Sequence, residues 1–155
     1  MERKKNYKYK RVYIDGVWDL FHYGHVNYIK KCKELSEHLI VGICSDEDCS
    51  TIKRKPIMTS YERMQVLKSC KYIDEIIENA PCFGISKDFI NQNNIDIVMH
   101  GDDYSQESIE KYYSVPLQMG IFKTLSYTKT ISTTNIINRL KDRILNKYIN
   151  GHDNI

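Results

Sequence analysis

Short apolar runs alternate with amphipathic segments along nearly the whole chain. Strands are predicted over residues 11–15, 38–44, 72–78, 95–100 and 121–127. The run at 38–44 is nearly continuous in apolar residues, as expected of a strand buried on both faces. Other segments place apolar residues at helical spacing, over residues 24–35, 59–70, 86–94, 108–120 and 132–148. This alternation predicts an α/β fold, with a doubly wound parallel sheet of about five strands and helices on both of its faces.

The remaining segments are polar and mark the limits of this domain. Residues 1–10 are predicted to be a flexible basic N-terminal arm, residues 11–147 a single domain, and residues 148–155 a C-terminal tail. A polar, basic loop is predicted over residues 45–58. The fourth helix is expected to break at Pro116, because proline disrupts a helix interior.

Composition narrows the class of protein. The 155 residues are 41% hydrophobic and 28% charged, which is ordinary for a globular domain, and the net charge of +3 gives no reason to expect nucleic-acid binding. No apolar run approaches the ~20 residues that cross a bilayer, and the charged start of the chain lacks a signal-peptide core. The basic arm is expected to be solvated, with a phosphate or peripheral membrane contact as the alternative. The five cysteines include no CxxC pair, which predicts reduced thiols in a cytoplasmic protein.

Two histidines stand where the first strand gives way to the first helix. In a doubly wound sheet, ligands bind beyond the carboxyl ends of the strands, so His22 and His25 fall in the expected region. The N-terminus of the helix suits a phosphate, and Gly24 would let that phosphate approach the backbone. Two imidazoles could then donate to phosphate oxygens that gain charge in a transition state. The alternatives are a pair of surface or capping histidines, or a zinc site, for which no further ligands show the required spacing.

A series of sequence elements, taken in order, resembles the cytidylyltransferase branch of the nucleotidyltransferase superfamily. They are the HxGH signature at 22–25 preceded by DGVWDLF, then LIVGICSDE, SYERMQVLKSCKYIDEIIENAP, MHGDD and ISTT. The resemblance extends from about Arg11 to about Arg143. It implies a Rossmann-like fold and transfer of CMP from CTP to a small phosphomonoester, with release of pyrophosphate and help from Mg²⁺. Such a reaction needs positioning and charge stabilisation rather than a covalent nucleophile.

The resemblance also implies roles for individual residues. His22 and His25 would hold the α-phosphate, and Lys53, in a loop that closes over the substrates, would neutralise phosphate charge. Arg63 would reach the phosphates, although a helix-surface arginine explains it equally well. The implied CTP-binding set is Gly16, Phe21, Gly24, Arg63, Gly101, Asp102, Ile131, Ser132, Thr133 and Thr134. Without the family context, Lys53 is an ordinary loop lysine, and the hydroxyls that open the last helix form an ordinary N-cap.

The last motif departs from the family pattern, which usually reads RTEGIST. Counted back from ISTT, Tyr127 stands at the position of the arginine and Thr130 at that of the glycine. A tyrosine does not replace the planar, permanently charged fork of an arginine. Either Lys129 compensates from two residues away, or the site is weakened. A catalytically degenerate nucleotide-binding domain of the same family is therefore an alternative to an enzyme.

The choice of phosphomonoester depends on the residues around its alcohol. Choline-type members hold a quaternary ammonium with aromatic faces and an aspartate. The matching positions here are Asp15, Cys82 and Tyr113. The thiol of Cys82 gives little cation–π attraction. A primary ammonium needs hydrogen-bond acceptors instead, and HGDD at 100–103 is closer to ethanolamine- and glycerol-phosphate members. Phosphoethanolamine is therefore preferred to phosphocholine. The implied phosphoalcohol-binding set is Asp15, Cys82, Tyr113, Tyr127 and Lys129, although a turn aspartate and a core tyrosine are simpler interpretations of two of these.

The resemblance further implies the partners of the chain. The family commonly dimerises around its first strand, here RVYIDG at 11–16, so a homodimer is expected. The other partners are CTP with Mg²⁺ and the small phosphomonoester, without nucleic acid and without a metal held by the protein alone. Because only GHDNI follows the last helix, lipid switching of the kind found in animal choline enzymes is not expected.

Overall fold

The computed structural model describes residues 6–52 and 54–150, with the backbone alone for 148–150. Within these ranges the elements are β1 (Tyr9–Gly16), α1 (Tyr23–Leu35), β2 (Ser36–Ile43), α2 (Asp46–Ile52), α3 (Ser60–Lys68), β3 (Glu75–Ile77), α4 (Lys87–Gln92), β4 (Ile97–Gly101), α5 (Gln106–Tyr112), α6 (Ser114–Gln118), β5 (Phe122–Leu125) and α7 (Thr133–Asn150). The strands form one parallel sheet in the order β3-β2-β1-β4-β5. The predicted α/β, Rossmann-like doubly wound sheet is confirmed.

Alternate residues of the central strand supply two hydrophobic cores, one on each face of the sheet. Ile14 enters the core that also receives Ile29 of α1 and Leu67 of α3. Tyr13 points the other way, into the core that contains Ile90 of α4. Each buried aliphatic side chain of this kind contributes about 1.5–3 kcal/mol to folding. Burial on both faces explains the three consecutive apolar residues Val12, Tyr13 and Ile14 in the middle of β1.

The order of the strands places a crevice beside β1. The chain builds β2 and β3 on one side of β1, then crosses over and adds β4 and β5 on the other side. The loops that leave the carboxyl ends of β1 and β4 therefore diverge, and the space between them is where ligands bind in folds of this type.

Two predicted features of the chain between the strands are wrong. The loop predicted over 45–58 contains α2, whose first turn carries three acidic residues that favour a helix N-terminus. Cys49 anchors this short helix in the core. The break expected at Pro116 falls at Tyr113 instead, between α5 and α6. Proline is tolerated there because the first turn of a helix has no intrahelical N–H bond to lose.

Some element boundaries also differ from the predictions. β1 begins at Tyr9, which pairs with Ser36 of β2, so the end of the predicted arm belongs to the sheet. α7 continues to Asn150, past the start of the predicted tail, and β3 is shorter than the predicted run 72–78. The domain limits otherwise stay a prediction. In the part of the chain that the structure describes, no helix is both long and apolar enough to span a bilayer.

Candidate active site

A cavity of about 550 Å³ opens at the carboxyl ends of β1 and β4. Its lining also includes the start of α1, the loop before α3 and the start of α7. It brings together these residues predicted for the site: Asp15, Gly16, Gly24, His25, Cys82, Gly101, Tyr127, Ser132, Thr133 and Thr134. A volume of this size is typical of small-molecule sites.

The HxGH histidines lie at the start of α1, with His22 as its N-cap. The two rings stack with centroids 3.8 Å apart, and Nδ1 of His25 accepts the backbone N–H of His22 at 3.3 Å. A neutral imidazole whose Nδ1 accepts a hydrogen bond carries its proton on Nε2. His25 therefore has a neutral Nε2–H donor in the wall of the cavity, whereas His22 lies outside the lining. The capping role that the sequence left open as an alternative is therefore present. His25 both takes part in this cap and lines the cavity.

Burial keeps both imidazoles neutral. It lowers the pKa of His25 to about 3, with a smaller contribution from the adjacent His22, and it lowers the pKa of His22 as well. Near neutral pH the pair can thus donate hydrogen bonds without carrying charge. An anion in the cavity would favour protonation of either ring, so proton and anion binding would be coupled.

The loop between β1 and α1 holds the His25 ring in place. Trp18 and Leu20 have φ angles of 58° and 46°, the left-handed region that bulky residues rarely occupy. The Trp18 indole N–H donates to the Gly42 carbonyl at 2.9 Å, and its ring packs edge-on against His25 with centroids 5.5 Å apart. Phe21, predicted to bind CTP, stacks on His25 at 5.4 Å and does not itself line the cavity.

Two of the predicted glycines lie close to neighbouring side chains. A Cβ on Gly24 would lie 2.9 Å from Cγ2 of Ile131 and 3.0 Å from the His22 ring. A Cβ on Gly101 would lie 2.5 Å from Oδ1 of Asp103. A side chain at either position would displace a neighbour that forms or supports the wall of the cavity.

Asp19 joins three of the segments around the cavity, and the sequence analysis missed it. Its buried carboxylate accepts the backbone N–H groups of Ile57 and Met58, both at 2.9 Å. Its carbonyl accepts the hydroxyl of Thr133 at 2.9 Å. The available signal was its place in the DGVWDLF stretch, but an aspartate there is equally typical of a turn.

Arg63 does not line the cavity, and its prediction as a phosphate ligand is corrected by its contacts. The fully buried side chain donates to the carbonyls of Val17 at 2.6 Å and Cys44 at 3.0 Å, and to the Asp46 carboxylate at 2.5 Å. The guanidinium is enclosed by protein acceptors, so it ties the loop after β1 to the loop after β2. Lys53, the predicted catalytic lysine, lies outside the described residues.

The start of α7 and the loop before it complete the cavity. Ser132 caps the helix, with its Oγ accepting a backbone N–H of the first turn at 3.1 Å, so the ordinary N-cap function is present. Tyr127 lines the cavity while its hydroxyl donates to the Ile131 carbonyl at 3.1 Å. Its backbone N–H donates to Oδ1 of Asp102 at 2.8 Å. Lys129 is exposed and lies outside the lining.

A buried carboxylate and several aromatic rings meet at the ends of β1 and β4. The Tyr113 hydroxyl donates to Oδ1 of Asp15 at 2.6 Å. Burial, reinforced by Asp15, raises the pKa of Tyr113 well above its usual value, so this hydroxyl stays protonated. Tyr104 lines the cavity with its ring 3.9 Å from that of His100, and no motif or periodicity marked it in the sequence. Cys82, buried, lines the same cavity.

A family model described as cytidylyltransferase-like matches residues 13–139. The chain belongs to the cytidylyltransferase-like family. It is 40% identical, over 83% of its length, to the ethanolamine-phosphate cytidylyltransferase of Arabidopsis thaliana, and 38% identical, over 84%, to choline-phosphate cytidylyltransferase A of Homo sapiens. It covers 32% and 36% of those two proteins, so it spans about a third of their length.

The fold of this cytidylyltransferase-like chain is also similar to that of a solved structure. A lipopolysaccharide core biosynthesis protein from Thermoplasma volcanium GSS1 superposes with a TM-score of 0.62 at 25% sequence identity. The match covers 79% of this chain and 98% of that one, so the shared fold includes nearly all of the other protein.

Several predicted site residues of this cytidylyltransferase-like chain lie behind the lining of the cavity or away from it. They are His22, Phe21, Arg63, Asp102, Tyr113, Ile131 and Lys129. His22, Phe21 and Tyr113 each contact a residue that lines the cavity. The residues taken from the family motifs therefore lie in or around the cavity, but the motifs do not separate residues that line it from residues that lie behind it.

Proposed function

We propose that this chain transfers CMP from CTP to phosphoethanolamine, giving CDP-ethanolamine and pyrophosphate for phospholipid biosynthesis. The observation that carries the proposal is one cavity that combines neutral imidazole and helix N-terminal donors with a buried carboxylate, Asp15. Ethanolamine-phosphate and choline-phosphate cytidylyltransferases match the chain at similar identity, which supports the class of reaction more than the choice of alcohol.

The phosphate end of the cavity fits in-line transfer at the α-phosphate. A phosphate oxygen of phosphoethanolamine would bond to the α-phosphorus of CTP while the bond to the oxygen bridging the β-phosphate breaks, and pyrophosphate leaves. Charge grows on the α-phosphate oxygens as this happens. The Nε2–H of His25 and the free N–H groups at the start of α7 are suitable donors. Packing by Trp18 and Phe21 fixes the His25 ring beforehand, so little reorganisation is needed.

Mg²⁺ is expected to enter this site with CTP. Among the described residues, no group of three or more His, Cys, Asp or Glu side chains is arranged to hold a metal ion. We infer that the ion is coordinated largely by triphosphate oxygens, as Mg²⁺ commonly is in phosphoryl-transfer sites. Bound in that way, it would offset charge on the departing pyrophosphate.

The alcohol end of the cavity favours phosphoethanolamine over phosphocholine. A primary ammonium donates three hydrogen bonds, for which Asp15, held by Tyr113, provides a carboxylate. A trimethylammonium donates none and depends on aromatic faces. Tyr104 supplies one such face, which keeps phosphocholine as the alternative, but Cys82 adds a thiol where choline-type relatives would add an indole.

Tyr127 favours a second candidate function, a nucleotide-binding domain without turnover. The phenol lines the cavity where the resemblance implies an arginine, and its hydroxyl is already donated to the Ile131 carbonyl.

The proposed homodimer is supported by the family resemblance alone. The proposed cytoplasmic location is supported by five free cysteines.

Pyrophosphate release tests these proposals directly. The chain is incubated with CTP and Mg²⁺ and with phosphoethanolamine, phosphocholine or glycerol 3-phosphate at equal concentration. Fastest release with phosphoethanolamine is expected, and faster release with phosphocholine would refute the assignment of the alcohol. CTP binding without release from any of the three would favour the second candidate.

A further inference from the structure

Arg54 is the permanently charged cation among the described residues that line the cavity. The same lining contains three carboxylate side chains, those of Asp15, Asp19 and Asp103. The His25 imidazole contributes no charge near neutral pH, because burial lowers its pKa to about 3. A triphosphate that enters the cavity therefore meets its strongest electrostatic attraction, within the described lining, at this guanidinium.

The other residues that could replace the arginine of the last motif are badly placed to bind phosphate. Tyr127 stands at the position of that arginine, but its hydroxyl donates to the Ile131 carbonyl, and burial raises its pKa so that it stays neutral. Lys129 is exposed and outside the lining. Arg63 is fully buried and bonded to protein acceptors.

The segment that carries Arg54 is anchored to the cavity. Pro56, two residues on, is buried and lines the cavity. The next two N–H groups, of Ile57 and Met58, donate to the Asp19 carboxylate at 2.9 Å each. Arg54 is exposed, and its guanidinium makes no hydrogen bond or ion pair with the rest of the described chain, so its donors are available to a ligand.

We propose that Arg54 binds the triphosphate of CTP and supplies from the loop before α3 the positive charge that Tyr127 cannot supply. The planar guanidinium offers paired N–H donors that match phosphate oxygens. The inference rests on the proposed use of CTP. It adds a residue that neither the motifs nor the comparisons mark, and it explains how a chain without the arginine of the last motif can retain nucleotide affinity.

A binding experiment on four variants tests this role. Titration calorimetry with CTP and Mg²⁺ compares the unaltered chain with Arg54→Ala, Arg54→Lys, Tyr127→Arg and the double variant Arg54→Ala/Tyr127→Arg. Lys55→Ala is the matched control, because Lys55 is the adjacent exposed cation and does not line the cavity. Arg54→Ala should weaken CTP binding about 10- to 100-fold, as expected for loss of charge-assisted hydrogen bonds, with Arg54→Lys in between. The double variant should recover much of the loss.

The outcomes separate this inference from the proposed function. If Arg54→Ala and Lys55→Ala bind CTP equally well, and the unaltered chain still releases pyrophosphate, the role of Arg54 is refuted and the proposed function stands. If Tyr127→Arg fails to restore binding to Arg54→Ala, the two positions do not serve the same phosphates, which also refutes the inference. If the unaltered chain neither binds CTP nor releases pyrophosphate, the proposed function fails, and the inference fails with it.

Discussion

Replacing Arg63 with methionine should destabilise the fold without removing a phosphate ligand. Methionine keeps a long, flexible side chain in the buried space and removes only the guanidinium. That group donates to four acceptors, namely Val17 O at 2.6 Å, Cys44 O at 3.0 Å, Met58 O at 3.3 Å and Asp46 Oδ1 at 2.5 Å. Among the segments that these bonds join, the loop after β1 and the loop before α3 contain residues that line the candidate site.

The expected size of the effect follows from the environment of each acceptor. The Asp46 side chain is 40% exposed, so its ion pair with Arg63 contributes about 1 kcal/mol or less. The 3.3 Å bond to Met58 is weak because of its length. The two shorter bonds to loop carbonyls dominate, since hydrogen bonds from charged donors contribute about 1.5–3 kcal/mol each. A loss of about 3–5 kcal/mol is therefore expected, out of the roughly 5–15 kcal/mol of a typical domain.

Urea unfolding at neutral pH measures this loss, with Lys68→Met as the control because Lys68 is an exposed cation on the same helix. The control should change the free energy of unfolding by less than about 0.5 kcal/mol. CTP affinity of folded Arg63→Met, measured well below the midpoint of unfolding, should stay within about threefold of the unaltered chain, a factor that corresponds to about 0.65 kcal/mol. Unchanged stability together with lost CTP binding would refute the reasoning and return Arg63 to the set of phosphate ligands.

Three further changes probe the cavity itself, and pH probes the burial of His25. His25→Ala should lower kcat about 10²–10³-fold in a folded protein, because a preorganised donor to the α-phosphate is lost; unchanged turnover would contradict that role. The free energy of unfolding should fall as pH drops from 6.5 towards 3, by at most about 1.4 kcal/mol per pH unit, because His25 takes up a proton at 6.5 when unfolded but only at about 3 when folded. Urea unfolding at several pH values should show that the free energy of unfolding of His25→Ala depends less on pH than that of the unaltered chain. Cys82→Trp should shift kcat/KM towards phosphocholine, and an unchanged ratio would show that residue 82 does not face the alcohol. Tyr113→Phe should raise the KM for phosphoethanolamine more than it changes kcat, since the bond that holds Asp15 is removed; equal effects on three phosphoalcohols would contradict this.

The position of the site was predictable because it follows from topology. Strand-like runs that alternate with helices indicate a parallel sheet, and the carboxyl ends of parallel strands meet at one edge of that sheet. Gly24 and His25 follow β1 and Ser132 follows β5, so their meeting in one cavity agrees with the common edge that a parallel sheet provides. The HxGH signature then suggested phosphate chemistry for that edge of the sheet.

The functions of Arg63, Asp19 and Tyr104 were not predictable from pattern, because each depends on contacts between distant segments. Arg63 belongs to a helix whose apolar periodicity is weak, and its burial is visible only once three loops supply carbonyls around it. Asp19 bonds to backbone N–H groups, which every loop possesses, so no side-chain pattern reveals the partner. Tyr104 lies in a loop between β4 and α5, where neither helical nor strand spacing constrains the side chain.

A zwitterionic phosphomonoester would match the charges of the cavity better than an anionic one. Asp15 is buried at the end of β1, and the starts of α1 and α7, where a phosphate is favoured, line the same cavity. Glycerol 3-phosphate carries no cation, so its binding would exclude water from the Asp15 carboxylate without bringing an opposite charge. Phosphocholine brings the charge but no N–H donor. The expected order of kcat/KM is therefore phosphoethanolamine, phosphocholine, glycerol 3-phosphate. A preference for glycerol 3-phosphate would mean that Asp15 serves the fold, as the acceptor for Tyr113, and takes no part in choosing the substrate.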